Sequence, residues 1–425
     1  MDTVHALVHG FKPLHFVAGM GIGMCASIMY NFPIESVRRG MKYVGYIYFF
    51  TNIAVIAITH LLFTLKFILF PIILPNDIRY KRKFFDLLHT PDLAVFMGAS
   101  SMSLTSMINI INDVRPHWHT FVWVLWWINF WQALGCSFIV FFFIMTSANF
   151  QESEKINSST GRLIDISPTL ILPVITLTVT AACGAHISIN VSNGVASRLI
   201  TMLILTSMMT ATAVCLSFVL LGVIFTKIFA FGIPQYGNAF SMFVPIGFLG
   251  QSSWCLLTNS KNVSYLIENH GYEIIGLRPT VDVLDTVHNM LLLFGIFSAI
   301  SLTSFAISIT IYGTFSVMYW YIGWPKVPRN IIASVDDVIF KIKKEFIFWT
   351  PTMWAATFPL GTVFLSTNAI YHETNIIGFK IVASIYAFAV VVITSWCMFC
   401  SGVYFIPWYK EDRQLMENEL GRGVL

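Results

Sequence analysis

Two kinds of apolar stretch alternate along this chain, and the alternation strongly constrains its fold. Residues 97–106 represent the first kind, because seven of these ten residues are Gly, Ala, Ser or Thr. Residues 120–145 represent the second kind, with ten aromatic side chains in 26 positions. Bulky apolar helices suit lipid, whereas helices rich in small and hydroxyl-bearing residues suit close packing or a wet interior. The alternation therefore predicts an inner set of helices inside an outer set, with a path through the middle.

The composition indicates that both sets of helices lie in a membrane. The 425 residues are 56% hydrophobic and only 11% charged, whereas soluble domains carry about 25% charged residues. The apolar stretches are long and continuous, which is typical of membrane helices and not of the short alternating strands of a β-barrel. Because these stretches occur throughout the sequence, we predict one transmembrane transport domain over residues 1–425.

Ten transmembrane helices are predicted, as five hairpins that each pair a small-residue helix with a bulky one. The predicted spans are 12–31, 41–66, 91–111, 119–147, 167–188, 197–229, 237–257, 285–322, 350–370 and 376–407. An internal repeat of this kind would close into a quasi-fivefold arrangement around a central pore. Prolines recur in the odd-numbered spans, and we expect them to kink those helices. These prolines are Pro13, Pro168, Pro173, Pro245, Pro351 and Pro359.

The distribution of Lys and Arg predicts that both termini are cytoplasmic. In that orientation 17 of the 25 Lys and Arg residues lie on the cytoplasmic side, in agreement with the positive-inside rule. An extracellular loop is then expected near residues 258–284. Sequons at Asn190 and Asn262 fall outside and are candidate glycosylation sites, whereas a third sequon, at Asn157, falls inside.

The predicted inner helices contain almost no ionisable side chains. A neutral pathway lined by hydroxyl and backbone groups, with positive charge around it, favours a small anion as the transported species. The candidate lining residues are Gly21, Gly23, Ser101, Ser103, Thr180, Gly184, Pro245, Gly247, Gln251, Pro359 and Thr362. Close helix packing is an alternative for Gly21 and Gly23, and an interhelical hydrogen bond is an alternative for Gln251.

Two histidines on inner helices, His15 and His186, are candidates for proton-linked transport, because intramembrane histidines often belong to proton relays. An ordinary hydrogen-bonded histidine near a helix end is the alternative for each. The sequence has no HExxH motif and no nucleophile, base and orienting group at a meaningful spacing. We therefore expect no enzymatic activity, no metal site, no cofactor and no nucleic-acid partner.

Four stretches of the sequence carry a resemblance to a known family. They are residues 11–23 with the following Tyr30-Asn-Phe-Pro33, residues 122–128, residues 244–251 and residues 354–362. The chain resembles the fungal sulfite efflux pumps of the tellurite-resistance/dicarboxylate transporter family, which also contains malic acid permeases and plant slow anion channels. The resemblance implies the ten-helix quasi-fivefold fold and export of sulfite or bisulfite from a plasma membrane. It also implies a homotrimer, whose bulky helices face lipid or a sister subunit.

A gate is a further implication of the resemblance. In bacterial and plant relatives a phenylalanine of the ninth helix plugs the pore, and by motif that residue corresponds to Phe358. The local sequence agrees, because Phe358 is a bulky ring in a small-residue span and precedes Pro359. An ordinary packing phenylalanine is the alternative. For the whole chain, a dicarboxylate (malate) carrier is the alternative function, and a polytopic chemoreceptor is a more distant one.

Overall fold

The part of the chain that the structure describes is all-helical. A computed structural model describes residues 3–74, 84–147, 167–234, 236–275, 281–322 and 349–421, and every regular element in these ranges is a helix. Ten of the helices are long. They are α1 (Phe16–Tyr30), α2 (Glu35–Thr64), α3 (Met97–Val114), α4 (His119–Leu134), α5 (Leu172–Ser192), α6 (Ala196–Phe231), α7 (Ile246–Ile275), α8 (Val281–Ile322), α9 (Trp354–Thr374) and α10 (Ile377–Gly421).

Nine helical segments in the described ranges are long and apolar enough to cross a membrane, by length and composition. They correspond to the predicted spans one to eight and ten. The ninth predicted span, 350–370, also contains a helix, the 21-residue α9. This helix is less apolar than the others because it contains several Thr residues together with Ser366, Asn368 and Gly361. Most of its residues are nevertheless buried, as expected of a helix whose neighbours are protein.

Burial separates the helices into the two predicted sets. In the spans that contain α1, α3, α5 and α7, between 72% and 94% of the apolar window is buried inside the protein. In the spans that contain α2, α4, α6, α8 and α10, the buried share is only 11% to 39%. These outer helices expose large apolar side chains, such as Phe50, Trp131 and Phe297, which suits contact with lipid. The alternation in the sequence is therefore an alternation in burial.

The five buried helices contact one another in a continuous series. α1 packs against α3, α3 against α5, α5 against α7, α7 against α9, and α9 against α1. Each buried helix also packs against the outer helix that follows it in the sequence. Small residues make the close approaches possible. For example, a Cβ atom on Gly250 of α7 would lie only 2.7 Å from the backbone carbonyl carbon of Thr362 on α9.

Most prolines of the inner helices begin a helix and do not kink one, which corrects the prediction from the sequence. The prolines in first turns are Pro13, Pro168, Pro173 and Pro351, and Pro245 directly precedes α7. Proline is favoured at a helix start because the first amide groups of a helix have no intrahelical acceptor. Of the six, Pro359 alone lies inside a helix.

α7 is longer than the sequence predicts. A loop is expected near residues 258–284, but residues 258–275 continue α7 as a helix, and residues 276–280 lie outside the described ranges. Polar side chains on this extension bind neighbouring helices. Asn259 Nδ2 donates to Thr206 Oγ1 of α6 at 3.0 Å, and Lys261 Nζ lies 2.6 Å from Glu373 Oε1 of α9. These partners stabilise the helix beyond the end of its apolar pattern.

Candidate functional site

A cavity of about 580 Å³ lies among the N-terminal ends of the five buried helices. The lining residues from these helices and the turns before them are Leu14, Val17, Met20, Phe96, Met102, Leu172, Ile175, Val244, Gly247, Ala355, Phe358 and Pro359. The last turns of α6 add Ile224, Lys227, Ile228 and Phe231. The same end of every buried helix therefore contributes to one shared space.

The polar lining of this cavity is mostly uncharged. Its members are Asp92, Ser167, Thr169, Lys227, Asn238, Ser241 and Thr352. Asp92 and Lys227 carry opposite charges, so the lining side chains add no net formal charge. Each helix N-terminus carries a partial positive charge of about half an elementary charge. Five buried helices direct this end toward the cavity, whereas α6 adds a C-terminal end with a partial negative charge, so the backbone dipoles on balance favour an anion there.

Phe358 lies at the inner limit of the cavity. Its side chain is 1% exposed, and the last lining residues on α1, α3 and α5 are the equally buried Met20, Met102 and Ile175. These four side chains are apolar, so the polar part of the cavity ends at an apolar floor. Pro359 follows Phe358 and has no amide hydrogen for the carbonyl group four residues earlier, which weakens α9 at this point.

Two of the predicted lining residues, Gly247 and Pro359, line the cavity together with Phe358. Ser101 and Thr180 instead face the outer helix α4. Ser101 Oγ donates to Asn129 Oδ1 at 2.8 Å, and Asn129 Nδ2 donates to Thr180 Oγ1 at 3.1 Å. In the structure, Ser101 and Thr180 therefore both take part in hydrogen bonds between helices, and neither lines this cavity.

The other predicted glycines lie at helix contacts. A Cβ atom on Gly21 would collide with Thr357 Oγ1 of α9, and one on Gly184 would lie 2.6 Å from Thr206 Cγ2 of α6. A Cβ atom on Gly23 would similarly meet side chains of α2 and α3. These approaches support the packing alternative for the glycines, because even the smallest side chain would push two helices apart.

Ser103, Thr362 and Pro245 are also absent from the cavity lining that the structure describes. Ser103 Oγ donates weakly to Asn52 Oδ1 of α2, at 3.4 Å. Thr362 Oγ1 donates to Pro359 O of its own helix at 2.7 Å. Pro245 is buried before the first turn of α7. The two hydroxyl groups therefore bond to protein groups, and that of Thr362 also lies 3.3 Å from Ile246 O of α7.

Gln251 differs from these residues because its side-chain oxygen is buried without a hydrogen bond to a described residue. It lies one turn beyond Gly247 on α7 and is 2% exposed. Its Oε1 atom makes no hydrogen bond to any residue within the described ranges. The structure therefore shows no interhelical bond through this oxygen, one of the two alternatives for Gln251.

The two candidate histidines have different surroundings. His15 Nδ1 accepts a hydrogen bond from the Lys12 amide at 3.0 Å, which fits a histidine that stabilises a helix start. His186 Nε2 lies 2.8 Å from Asp113 Oδ1, and Asn31 Nδ2 donates to the other oxygen of Asp113 at 3.0 Å. Side chains from α3 and α5 and from the residue after α1 therefore meet at the end of the helices opposite the cavity.

The sequence did not reveal Asp113 and Asn129 as important residues. Asp113 was visible only as an acidic residue at the end of a span, and Asn129 only as one polar residue among aromatic ones. Asn129 is fully buried and bonds to two neighbouring helices. A lone amide in an otherwise aromatic span is a signal of such a bond, because an unpaired amide facing lipid costs several kcal/mol, about 2–7.

The two candidate glycosylation sites differ in the exposure of their asparagine side chains. Asn262 is 2% exposed, and its Nδ2 atom donates to Ala185 O at 2.7 Å. A glycan on that nitrogen would break this bond, so the structure does not favour Asn262 as a glycosylation site. Asn190 is exposed, although its Nδ2 atom donates to Asn112 Oδ1 at 3.2 Å. Asn157 lies outside the described residues.

The described ranges contain no group of three or more His, Cys, Asp and Glu side chains that could hold a metal ion. All seven cysteines are free thiols, and all except Cys215 are buried. The groups that the cavity offers are hydroxyls, one amide, helix N-termini and one pair of opposite charges. These groups can bind an anion by hydrogen bonds and by their partial charges.

The fold and the sequence together define a family of membrane proteins. The model of the SLAC1 family, described as voltage-dependent anion channel, matches residues 10–401. This match includes nearly the whole chain, and the chain therefore belongs to the SLAC1 family. With nine apolar helices long enough to cross a membrane among the described residues, it is a multi-pass membrane protein.

Fungal sulfite efflux pumps are similar to this chain over nearly its full length. The sulfite efflux pump SSU1 of Candida albicans is 28% identical over 96% of this chain and 77% of its own length. The protein of that name in Saccharomyces cerevisiae is 22% identical over 94% of this chain and 88% of its own length. That of Arthroderma otae is 24% identical over 93% and 91%. The resemblance inferred from the four sequence stretches is confirmed.

Proposed function

We propose that this protein exports a small inorganic anion, sulfite or bisulfite, along the axis of its five buried helices. The observation that carries this proposal is the cavity, because the same end of all five buried helices lines it and it ends at Phe358. Hydroxyl groups and helix N-termini stabilise an anion without the tight binding of a fixed cation, so the ion can leave again. The names of the relatives support sulfite as the substrate.

The proposed architecture is five helix pairs in a quasi-fivefold arrangement around this axis. Two observations support it. The contacts between buried helices run from α1 through α3, α5, α7 and α9 and return to α1. Each buried helix is also followed in the chain by an exposed helix that packs against it. In such an arrangement the outer helices separate the pathway from lipid.

Phe358 is the gate in this proposal. With Met20, Met102 and Ile175 it forms an apolar constriction, and such constrictions exclude hydrated ions. A change of the Phe358 rotamer would widen the constriction without moving a whole helix. The missing backbone hydrogen bond at Pro359 would allow α9 to flex at the same level.

The proposed orientation has both termini in the cytoplasm, as the distribution of Lys and Arg favours. The cavity then faces the cytoplasm, where an exported anion is collected. We propose the plasma membrane as the location, because export there removes the anion from the cell. The exposed apolar faces of the outer helices contact lipid and, in a homotrimer, sister subunits.

Expression in a sulfite-sensitive yeast strain tests the function. The protein should restore growth on sulfite and lower intracellular sulfite, with no change in malate uptake. Malate uptake without rescue on sulfite would overturn the substrate and favour a dicarboxylate carrier.

The gate is tested by Phe358→Ala, which should increase anion flux several-fold because it opens the apolar floor. Phe364→Ala is the matched control, since Phe364 is fully buried on the same helix but does not line the cavity. The amount of protein in the membrane is measured for both variants. An unchanged flux in Phe358→Ala at equal protein amounts would exclude the gate.

A further inference from the structure

We propose a second anion-binding site, beyond Phe358, formed by the carboxamides of Asn109 on α3 and Gln251 on α7. The inference rests on the proposed function. Asn109 is 6% exposed and Gln251 is 2% exposed. The oxygens Asn109 Oδ1 and Gln251 Oε1 make no hydrogen bond to any residue that the structure describes. A buried acceptor without a donor costs about 1–3 kcal/mol, so an acceptor of this kind that also faces the proposed pathway is a candidate for ligand binding.

Helical periodicity puts both amides on the continuation of the cavity. The last cavity-lining residues on α3 and α7 are Met102 and Gly247. Asn109 lies seven residues after Met102, and Gln251 lies four residues after Gly247, and both spacings return to the same face of a helix. At a rise of 1.5 Å per residue, the two amides lie about 10 Å and 6 Å beyond the cavity. Their depths therefore differ by less than one helical turn.

His186 marks the far boundary of this site. Asp113, four residues after Asn109, lies 2.8 Å from His186 Nε2. The ring of Trp254, three residues after Gln251, lies 5.2 Å from the His186 ring. Both helices therefore reach the same histidine just beyond the two amides. The amides lie between Phe358 on one side and the Asp113–His186 pair on the other.

Asn129 shows how an amide that only joins helices behaves in this protein. Its Oδ1 and Nδ2 atoms bond to Ser101, Thr105 and Thr180 on two neighbouring helices. α3, which carries Asn109, packs between α1 and α5, and α7, which carries Gln251, packs between α5 and α9. Asn109 and Gln251 thus belong to helices that are not successive in the contact series. Acceptors without hydrogen bonds on two helices that are not neighbours fit a ligand site on the axis of the five buried helices. They fit a contact between packed helices less well.

The chemistry of the site selects a protonated oxyanion. A carboxamide has two N–H donors, which bind the oxygens of an oxyanion, and one carbonyl acceptor. One of the two unfilled acceptors can take a hydrogen bond from the single hydroxyl group of bisulfite, which chloride lacks. The inferred ligand is therefore a small monoanion that carries an O–H group, bound by neutral groups.

Replacement of each amide by leucine tests the site, because leucine keeps a similar volume and removes both the donors and the acceptor. Sulfite and chloride fluxes are measured separately in proteoliposomes at mildly acidic pH, where bisulfite is abundant. Asn109→Leu and Gln251→Leu should each lower the sulfite-to-chloride flux ratio roughly tenfold, with chloride flux retained, because the lost hydrogen bonds favour only the oxyanion. Ser217→Ala is the control, because Ser217 Oγ is also buried without a described partner but lies on the outer helix α6.

The outcomes separate this inference from the proposed function. An unchanged flux ratio in both leucine variants, while the wild-type protein exports sulfite, would overturn the amide site alone. A wild-type protein that conducts chloride but no sulfite would instead overturn the proposed function. Gln251→Glu is a second variant of nearly identical size, in case a leucine variant does not fold. A carboxyl group lacks the two N–H donors of the amide, and its ionised form also repels anions, so sulfite flux should fall, and equal flux would contradict the site.

Discussion

The two ends of the five buried helices differ in how their side chains are used. At the N-terminal end the helices surround a cavity of about 580 Å³, and the lining contributes hydroxyl groups and few charges. At the C-terminal end polar side chains join neighbouring helices. Asp113 joins His186 to Asn31, and Lys261 pairs with Glu373. We therefore call the N-terminal end, which surrounds the cavity, the open end, and the C-terminal end, where these contacts join the helices, the closed end.

This difference indicates two barriers of unlike chemistry in series along the proposed pathway. The proposed barrier at Phe358 is apolar and would oppose an ion because it offers no replacement for hydration. The barrier at Asp113 and His186 is polar and opposes movement because hydrogen bonds must break. Packing does not distinguish the ends, since glycines allow close helix contacts near both.

Asp113→Ala should destabilise the protein most. It removes the partner of His186 and an acceptor for Asn31, and hydrogen bonds to charged groups contribute about 1.5–3 kcal/mol each. We expect a loss of about 2–4 kcal/mol, because both residues of the ion pair are only partly exposed. Asp92→Ala at the cavity end is the matched control and should change stability by less than about 0.5 kcal/mol. Thermal unfolding in detergent measures both, and equal losses would contradict the contrast between the ends.

Glycine substitutions should be costly at both ends. A Cβ atom on Gly98, near the cavity, would lie 2.6 Å from Thr176 Cγ2, and one on Gly184 would lie 2.6 Å from Thr206 Cγ2. Gly98→Ala and Gly184→Ala should each cost about 1–3 kcal/mol by overpacking. A Cβ atom on Gly222 of α6 meets nothing within 4 Å, so Gly222→Ala should be neutral or slightly stabilising. If only Gly184→Ala lowered the unfolding temperature, packing as well as polarity would distinguish the ends.

The ion pair between Lys261 and Glu373 should contribute less than the Asp113 cluster. The Lys261 side chain is 51% exposed, and exposed ion pairs contribute about 0.2–1 kcal/mol. A double-mutant cycle with Lys261→Met and Glu373→Gln, followed by thermal unfolding, measures the coupling. A coupling above about 2 kcal/mol would mean that this pair closes the C-terminal end as strongly as Asp113 does.

Lys227→Met should have the smallest effect, on transport and not on stability. Lys227 lines the cavity, and a positive charge at an entrance raises the local anion concentration. We expect the half-saturating sulfite concentration to rise about two- to fivefold at low salt, as measured by flux in proteoliposomes. Lys261→Met, at the closed end, should leave that concentration unchanged. Equal shifts in both variants would show that the net charge of the whole protein, and not a charge at the cavity, changes the half-saturating concentration.

Much of the fold could be predicted from the sequence because each membrane helix is specified by the residues within its own stretch of the chain. The ten helices and their alternation follow from residue types within each stretch, and the family from four short segments. The role of individual side chains could not be predicted as well. Ser101 and Thr180 are predicted to line the path, and the sequence gives no sign that both bond to Asn129. A small error in the assumed rotation of a helix changes whether a side chain faces the central pathway or a neighbouring helix, because successive residues are 100° apart around the helix.

By itself, the sequence determined that this protein spans a membrane, that its helices form inner and outer sets, and that it resembles anion transporters. These properties depend on composition and on contacts with lipid, which are summed over many residues. The tertiary structure was needed to show which helix ends surround a cavity and which are joined by Asp113 and His186. It also decided that Asn109 and Gln251 have unfilled acceptors. These properties depend on a few distances between residues far apart in the chain, and hydrogen bonds and ion pairs form only within a few ångströms.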